Sequence, residues 1–209
     1  MTTSNRHSSP QAAWDALKRG NERFVSGAPA HPRQDIERRE ALAAKQIPFA
    51  ALFGCADSRL SAEIIFDVGL GDLFVVRNAG QVIAETIIGS LEFSVEVLGV
   101  PLILVLGHDE CGAIRATIDA TEGKLNSKGE FIHNLVERIR PTVLAANAAG
   151  KHDIDDVTAL HIQDTINEML TRSTLIANAV KEGKLAVVGA NYKLTLGEVH
   201  PLVIVGDIK

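Results

Sequence analysis

The chain has 209 residues, 46% of them hydrophobic and 22% charged, which suits one globular domain with a sizeable core. A net charge of −5 offers no long-range attraction for nucleic acid or an anionic membrane, and no apolar run is long enough to span a bilayer. The polar start, Met1 to Gln11, lacks a secretion signal, so the expected compartment is the cytoplasm, where thiols stay reduced and cysteines serve as metal ligands more readily than as disulfides.

Residues 1–9 carry no periodic pattern and are expected to lack regular structure. Ser9 and Pro10 form a cap and first-turn proline. The helix that follows carries Trp14, Leu17, Phe24 and Val25 on one side and ends near Gly27. That stripe can pack on its own domain or on a second subunit. After a linker at residues 28–32, a second helix is expected over about residues 34–45, with Glu37, Arg38, Arg39 and Glu40 on a solvated face. Residues 49–54 form a continuous apolar run, as expected of a strand buried on both faces. A second such run covers residues 73–77. A helix with Ile87, Ile88, Leu91, Val95 and Leu98 inward stops at Gly99. The most apolar strand, residues 102–106, leads to Gly107 and His108, and a helix begins at Cys111.

Phe131, Ile132, Leu135, Val136, Ile139 and Val143 mark a further helix, expected to kink or break at Pro141. One helical period runs from Ile154 to Val180. Residues 185–189 and 199–205 are the last strands, and Pro201 makes the final one an edge. Strands alternating with helices predict an α/β fold, with about four parallel strands, an antiparallel edge strand and helices on both faces. The domain reading is 1–209 as a single domain, with residues 1–45 as an N-terminal helical arm packing on a partner subunit.

Two short stretches carry the chemistry, Cys55-Ala56-Asp57-Ser58-Arg59 and His108-Asp109-Glu110-Cys111. Each follows a buried strand, at the carboxyl edge where sites of open α/β sheets lie. Cys55, His108 and Cys111 suit a tetrahedral Zn²⁺ ion. A structural zinc usually takes four such ligands, and a count of three leaves a position open for catalysis. The N-terminus of the helix after Cys111 favours its thiolate. Asp57 can complete the coordination or accept a hydrogen bond from a zinc-bound hydroxide, and Arg59 can hold its carboxylate bidentately. The bland alternatives are two buried cysteines, or a structural zinc with Asp57 as fourth ligand. Two thiolates cancel the charge of Zn²⁺, so bound water should ionise at higher pH than in a three-histidine site.

These motifs resemble those of the β-class carbonic anhydrases, whose Cys-x-Asp-x-Arg is matched by Cys55, Asp57 and Arg59 and whose His-x-x-Cys is matched by His108 and Cys111. The similarity extends through Ala62-Glu63, residues 74–79 and Gly107-His108. The resemblance implies one zinc per chain on Cys55, His108 and Cys111. Asp57 and Arg59 gate the fourth position, with Asp57 itself as a ligand in a closed state. It further implies reversible hydration of carbon dioxide to bicarbonate and a proton by zinc-bound hydroxide. Gln46 corresponds to a substrate-orienting glutamine acting across a subunit interface. Phe74, Ala79 and Phe93 correspond to the substrate pocket, and Gly112 is expected to let the backbone approach the site closely. The implied assembly is a homodimer or a dimer of dimers (a homotetramer). Leu52 stands where relatives with an inhibitory bicarbonate pocket carry tryptophan, so that regulation is not expected although Arg77 and Tyr192 are present.

Overall fold

A computed structural model describes residues 7–209. Part of the segment expected to lack regular structure, residues 1–6, lies outside the described residues; Ser9 acts as the expected cap, its hydroxyl accepting from the Ala12 amide. The elements in order are α1 (Pro10–Val25), α2 (Ile36–Ala41), β1 (Ala50–Cys55), α3 (Ala62–Ile65), β2 (Leu73–Asn78), a 3₁₀ turn (Ala79–Gln81), α4 (Glu85–Glu96) and β3 (Leu102–His108). Then come α5 (Gly112–Thr121), α6 (Glu130–Ala148), α7 (Ile154–Arg172), α8 (Thr174–Lys181), β4 (Ala186–Lys193) and β5 (Glu198–Val205).

The strands form one sheet in the order β2-β1-β3-β4-β5, parallel except for the antiparallel edge strand β5 that carries Pro201. Every residue of β1 and β3 is buried, which is why both read as unbroken apolar runs. One face of the sheet packs on α1, α3, α5 and α6, through residues such as Trp14, Leu17, Ile65, Ile114 and Ile139. The other packs on α4, α8 and most of α7, through Ile87, Leu91, Ile162, Ile166 and Ile176. β1 and β3 are direct neighbours, with Gly54 opposite Leu106, so the loops after both strands open at one point.

Four elements differ from expectation. α2 is shorter than residues 34–45, capped by Asp35 and closed at Leu42. Arg38 is not part of a solvated face: its guanidinium donates to the Leu70 carbonyl at 2.9 Å and pairs with Asp72. α6 runs unbroken through Pro141, which lies on the exposed side where water can replace the amide lost to the Glu137 carbonyl. Its first turn is also outside the core, with Phe131 81% exposed. The long helix over 154–180 is two helices, because Ser173 is extended, accepts from the Ile176 amide and donates to Glu92 at 2.6 Å.

α1 docks on its own chain. Trp14 and Leu17 are buried, a gain of about 1.5–3 kcal/mol each. Asn21, also buried, donates to the Ile65 and Gly197 carbonyls and accepts from the Val199 amide, tying α1 to α3 and to the β4–β5 hairpin. Gly20 permits this approach, since a Cβ there would lie 1.7 Å from the Phe66 carbonyl oxygen. Gly20→Ala therefore sets a helix-propensity gain of about 1 kcal/mol against a backbone clash that no rotamer relieves. The variant is expected to lose about 2 kcal/mol or more of stability in urea unfolding; an unchanged or raised midpoint would contradict this docking.

Candidate metal centre

The sulfur of Cys55, a ring nitrogen of His108 and the sulfur of Cys111 all lie within 4.8 Å of one another, and all three residues are buried. β1 delivers Cys55 as its last residue, β3 delivers His108 as its last, and Cys111 caps α5. The turn between His108 and Cys111 is tight enough to put Glu110 at φ 50°. The spacing of three residues thus spans the end of one strand and the start of one helix.

Each donor is prepared for a cation. His108 Nδ1 lies 2.8 Å from the Asp109 carbonyl, which can only accept, so Nδ1 carries the proton and Nε2 keeps its lone pair. Nε2 is buried with no hydrogen-bond partner among the described residues, a cost that a metal would remove. Contact with the Cys111 thiol, then with His108 and the amides of Gly80 and Asp57, holds the Cys55 thiol well below the usual thiol range. The same contact with Cys55, reinforced by burial, pushes Cys111 up, although the Ala113 and Ile114 amides at the start of α5 oppose this. Two thiols and a free imidazole lone pair suit Zn²⁺ as a donor set.

Asp57 sits at the rim, its Oδ2 3.9 Å from His108 Nε2. Arg59 grips both of its oxygens, with Nε 2.9 Å from Oδ1 and Nη2 2.7 Å from Oδ2, and the Arg59 amide adds a third bond. This grip holds the carboxyl well below the usual carboxylate range. Arg59 Nη2 also reaches the Glu110 carbonyl, linking the loops after β1 and β3.

The other predicted residues divide by position. Ala79 is exposed beside the Gly80 amide, and Gly112 follows Cys111. A Cβ on Gly112 would meet nothing within 4 Å, so no close backbone approach explains that glycine within the chain. Gln46 is exposed, four residues before β1 begins, and therefore at the opposite end of the sheet from Cys55. Phe74 and Phe93 face each other at 6.1 Å, half-exposed, near the amino end of β2. Phe74 lies opposite Ala51, so four strand steps of about 3.3 Å separate it from the level of Cys55, roughly 13 Å. One chain does not bring Gln46, Phe74 and Phe93 to its own Cys-His-Cys cluster.

Two sets of contacts at the site go beyond what the sequence shows. Arg77, the penultimate residue of β2, donates to the Cys55 carbonyl at 2.8 Å and to the Asp57 carbonyl at 2.6 Å. Asp109 accepts from the Leu194 amide, tying the His108 loop to the end of β4. Long-range bonds to backbone atoms leave no periodic trace in sequence.

The family described as carbonic anhydrase matches residues 50–199 of this chain. A carbonic anhydrase of Mycolicibacterium smegmatis is 50% identical over 203 residues, covering 97% of this chain and 98% of that protein. Carbonic anhydrase 2 of Mycobacterium tuberculosis is 49% identical over 192 residues, or 91% of this chain and 92% of its own length. Among solved structures, one of two tetrameric β-carbonic anhydrases from the ascomycete Sordaria macrospora superposes with a TM-score of 0.71 at 22% identity, over 87% of this chain and 92% of that one. A Coccomyxa β-carbonic anhydrase in complex with acetazolamide gives 0.69 at 23% identity, over 92% and 86%. At that identity these two likenesses speak for the fold.

Arg77 clamps the loop that carries Asp57, and its removal should free that loop without unfolding β1. Arg77→Leu is expected to speed amide hydrogen exchange over residues 56–60 while residues 51–54 keep their protection. Unchanged exchange across residues 56–60 would show that the clamp does not hold the loop.

Proposed function

The chain belongs to the β-class carbonic anhydrases, and on that premise we propose that it hydrates carbon dioxide reversibly to bicarbonate and a proton at a zinc ion held by Cys55, His108 and Cys111. The observation that carries this reading is the convergence of three buried donors within 4.8 Å, one of them on an imidazole whose Nε2 has no hydrogen-bond partner among the described residues. When bound, zinc supplies Lewis acidity that lowers the pKa of water and makes a nucleophile available near neutral pH.

The protein's own groups do the rest. His108 is fixed in one tautomer by the Asp109 carbonyl, so its orientation does not have to be established during turnover. Asp57 remains ionised and, with both oxygens engaged by Arg59, acts as a hydrogen-bond acceptor at the rim instead of as a fourth ligand. It orients the attacking water oxygen by accepting from its O–H. Ala79 and Gly112 border the space in which carbon dioxide reacts.

Gln46, Phe74 and Phe93 serve the reaction from a second copy of the chain, as a donor to the developing bicarbonate and as apolar pocket wall. Their distance from the donors of their own chain supports this assignment, as does the tetrameric state of the Sordaria macrospora relatives. The functional unit is then a homodimer, alone or paired into a tetramer. Residues 1–45 contribute to the interface through faces that α1 and α2 leave open, including Ile36, which is 61% exposed. The cytoplasm is the compartment that keeps both cysteines reduced.

Metal analysis and stopped-flow carbon dioxide hydration on the same preparation test the reading. One zinc per chain is expected, with activity that rises from about pH 7 to about pH 9 because two thiolates blunt the Lewis acidity of the ion. Cys111→Ser should lose zinc and hydration together. Fully zinc-loaded wild-type protein that is inactive at pH 9 would make the metal structural and overturn the catalytic assignment.

A further inference from the structure

His161 lies deep in α7, far along the sequence from both motifs, and it is buried. Burial holds its pKa below the usual histidine value, so the ring is neutral. Its Nε2 is 2.7 Å from the Gly80 carbonyl, which can only accept, so Nε2 is the protonated nitrogen. The amide of the same Gly80 points the other way, 3.4 Å from the Cys55 sulfur. One residue thus joins a buried histidine to a candidate zinc ligand through its two backbone polar groups.

The turn containing Gly80 is held at several other points. Asn78 accepts from the Val82 amide at 2.9 Å and donates to the Val82 carbonyl at 2.8 Å. Thr165, one helical turn after His161, donates its hydroxyl to the His161 carbonyl at 2.8 Å and lies 3.4 Å from the Gln81 carbonyl. The turn needs such support, because Gly80 at φ 70° and Gln81 at φ 38° are consecutive residues in the left-handed region. A Cβ on Gly80 would lie 2.8 Å from Ala113 Cβ and 2.9 Å from Ile139 Cδ1, so packing from the opposite side also fixes its position. A buried histidine carries a desolvation cost, and the bond to the Gly80 carbonyl offsets part of it.

We propose that His161 is a positioning residue of the metal centre, holding the Asn78–Val82 turn so that the Gly80 amide donates to Cys55 Sγ. This rests on the reading of Cys55 as a zinc ligand. A hydrogen bond to an anionic sulfur stabilises it and fixes its lone-pair direction, and losing such an outer support typically weakens metal binding about 10- to 100-fold. His161 stands one bond further out, so the lower end of that range applies.

The test compares two polar variants. Glutamine carries its amide nitrogen about as far from the backbone as His161 carries Nε2, whereas asparagine falls short. His161→Asn is expected to bind zinc about tenfold more weakly than wild type in competition with a chromophoric chelator. It should also shift the sulfur-to-cobalt charge-transfer band of the cobalt-substituted protein. His161→Gln should match wild type in both. If the folded Asn and Gln variants bind zinc as wild type does with the same cobalt spectrum, His161 is structural only and the inference fails. Should His161→Asn not fold, His161→Ala removes the same bond without burying a new polar group, and zinc binding equal to wild type then overturns the inference. Wild-type protein that binds no zinc would instead overturn the reading on which it rests.

Discussion

The parallel pairing of β1 with β3 is the constraint on which the site depends. Gly54 lies opposite Leu106, so the residues that follow, Cys55 and the Gly107-His108 pair, leave the sheet side by side. A slip of one residue would move Cys55 by about 3.3 Å and turn its side chain to the other face. Register is protected because both strands are buried on both faces, with the packing of α4 and α7 on one side and α1, α5 and α6 on the other fitted to a single alternation. Arg77 and Arg59 then bind the loops across strand boundaries, Arg77 from β2 onto the Cys55 and Asp57 carbonyls, Arg59 from one loop to the other. The sheet sets where the donors are, and the arginines set how firmly.

Electrostatics completes the case for a cation. Cys55 and Cys111 share one buried space, and without a positive charge between them they do not both ionise: the contact that draws Cys55 down drives Cys111 up. A divalent ion would remove that conflict, since Cys55 and Cys111 could then both serve as ligands and His108 Nε2 could offer its lone pair. Asp57 stays outside the conflict because Arg59 neutralises it at the rim. The cluster therefore has three donors that want a metal and one carboxylate already engaged, which separates binding the ion from assisting the reaction.

Much of this was legible in the sequence, for identifiable reasons. Buried strands and amphipathic helices leave periodic patterns, so the parallel sheet, the edge strand with Pro201 and both motifs at strand ends could be read directly. The failures share a cause. Ser173 breaks a helix whose apolar period continues on either side of it, because a local cap and the bond to Glu92 outweigh the pattern. Pro141 does not break α6, because its exposed position lets water serve the unpaired carbonyl. Arg38, Arg77, Asp109 and His161 act on backbone atoms that are distant in sequence, and hydrogen bonds of that kind obey no spacing rule. Gln46, Phe74 and Phe93 could be named only by resemblance, and within one chain they stand apart from the donors.

The atoms that surround a bound zinc decide whether the site is open or closed. X-ray absorption at the zinc edge of the purified protein reads that shell directly. Two sulfur atoms at about 2.3 Å and one nitrogen at about 2.0 Å, with a single further light atom, are the predicted shell. A shell of oxygen and nitrogen atoms alone, or one containing four protein sulfur and nitrogen donors, would contradict the assignment of Cys55, His108 and Cys111 as the three ligands of an open site.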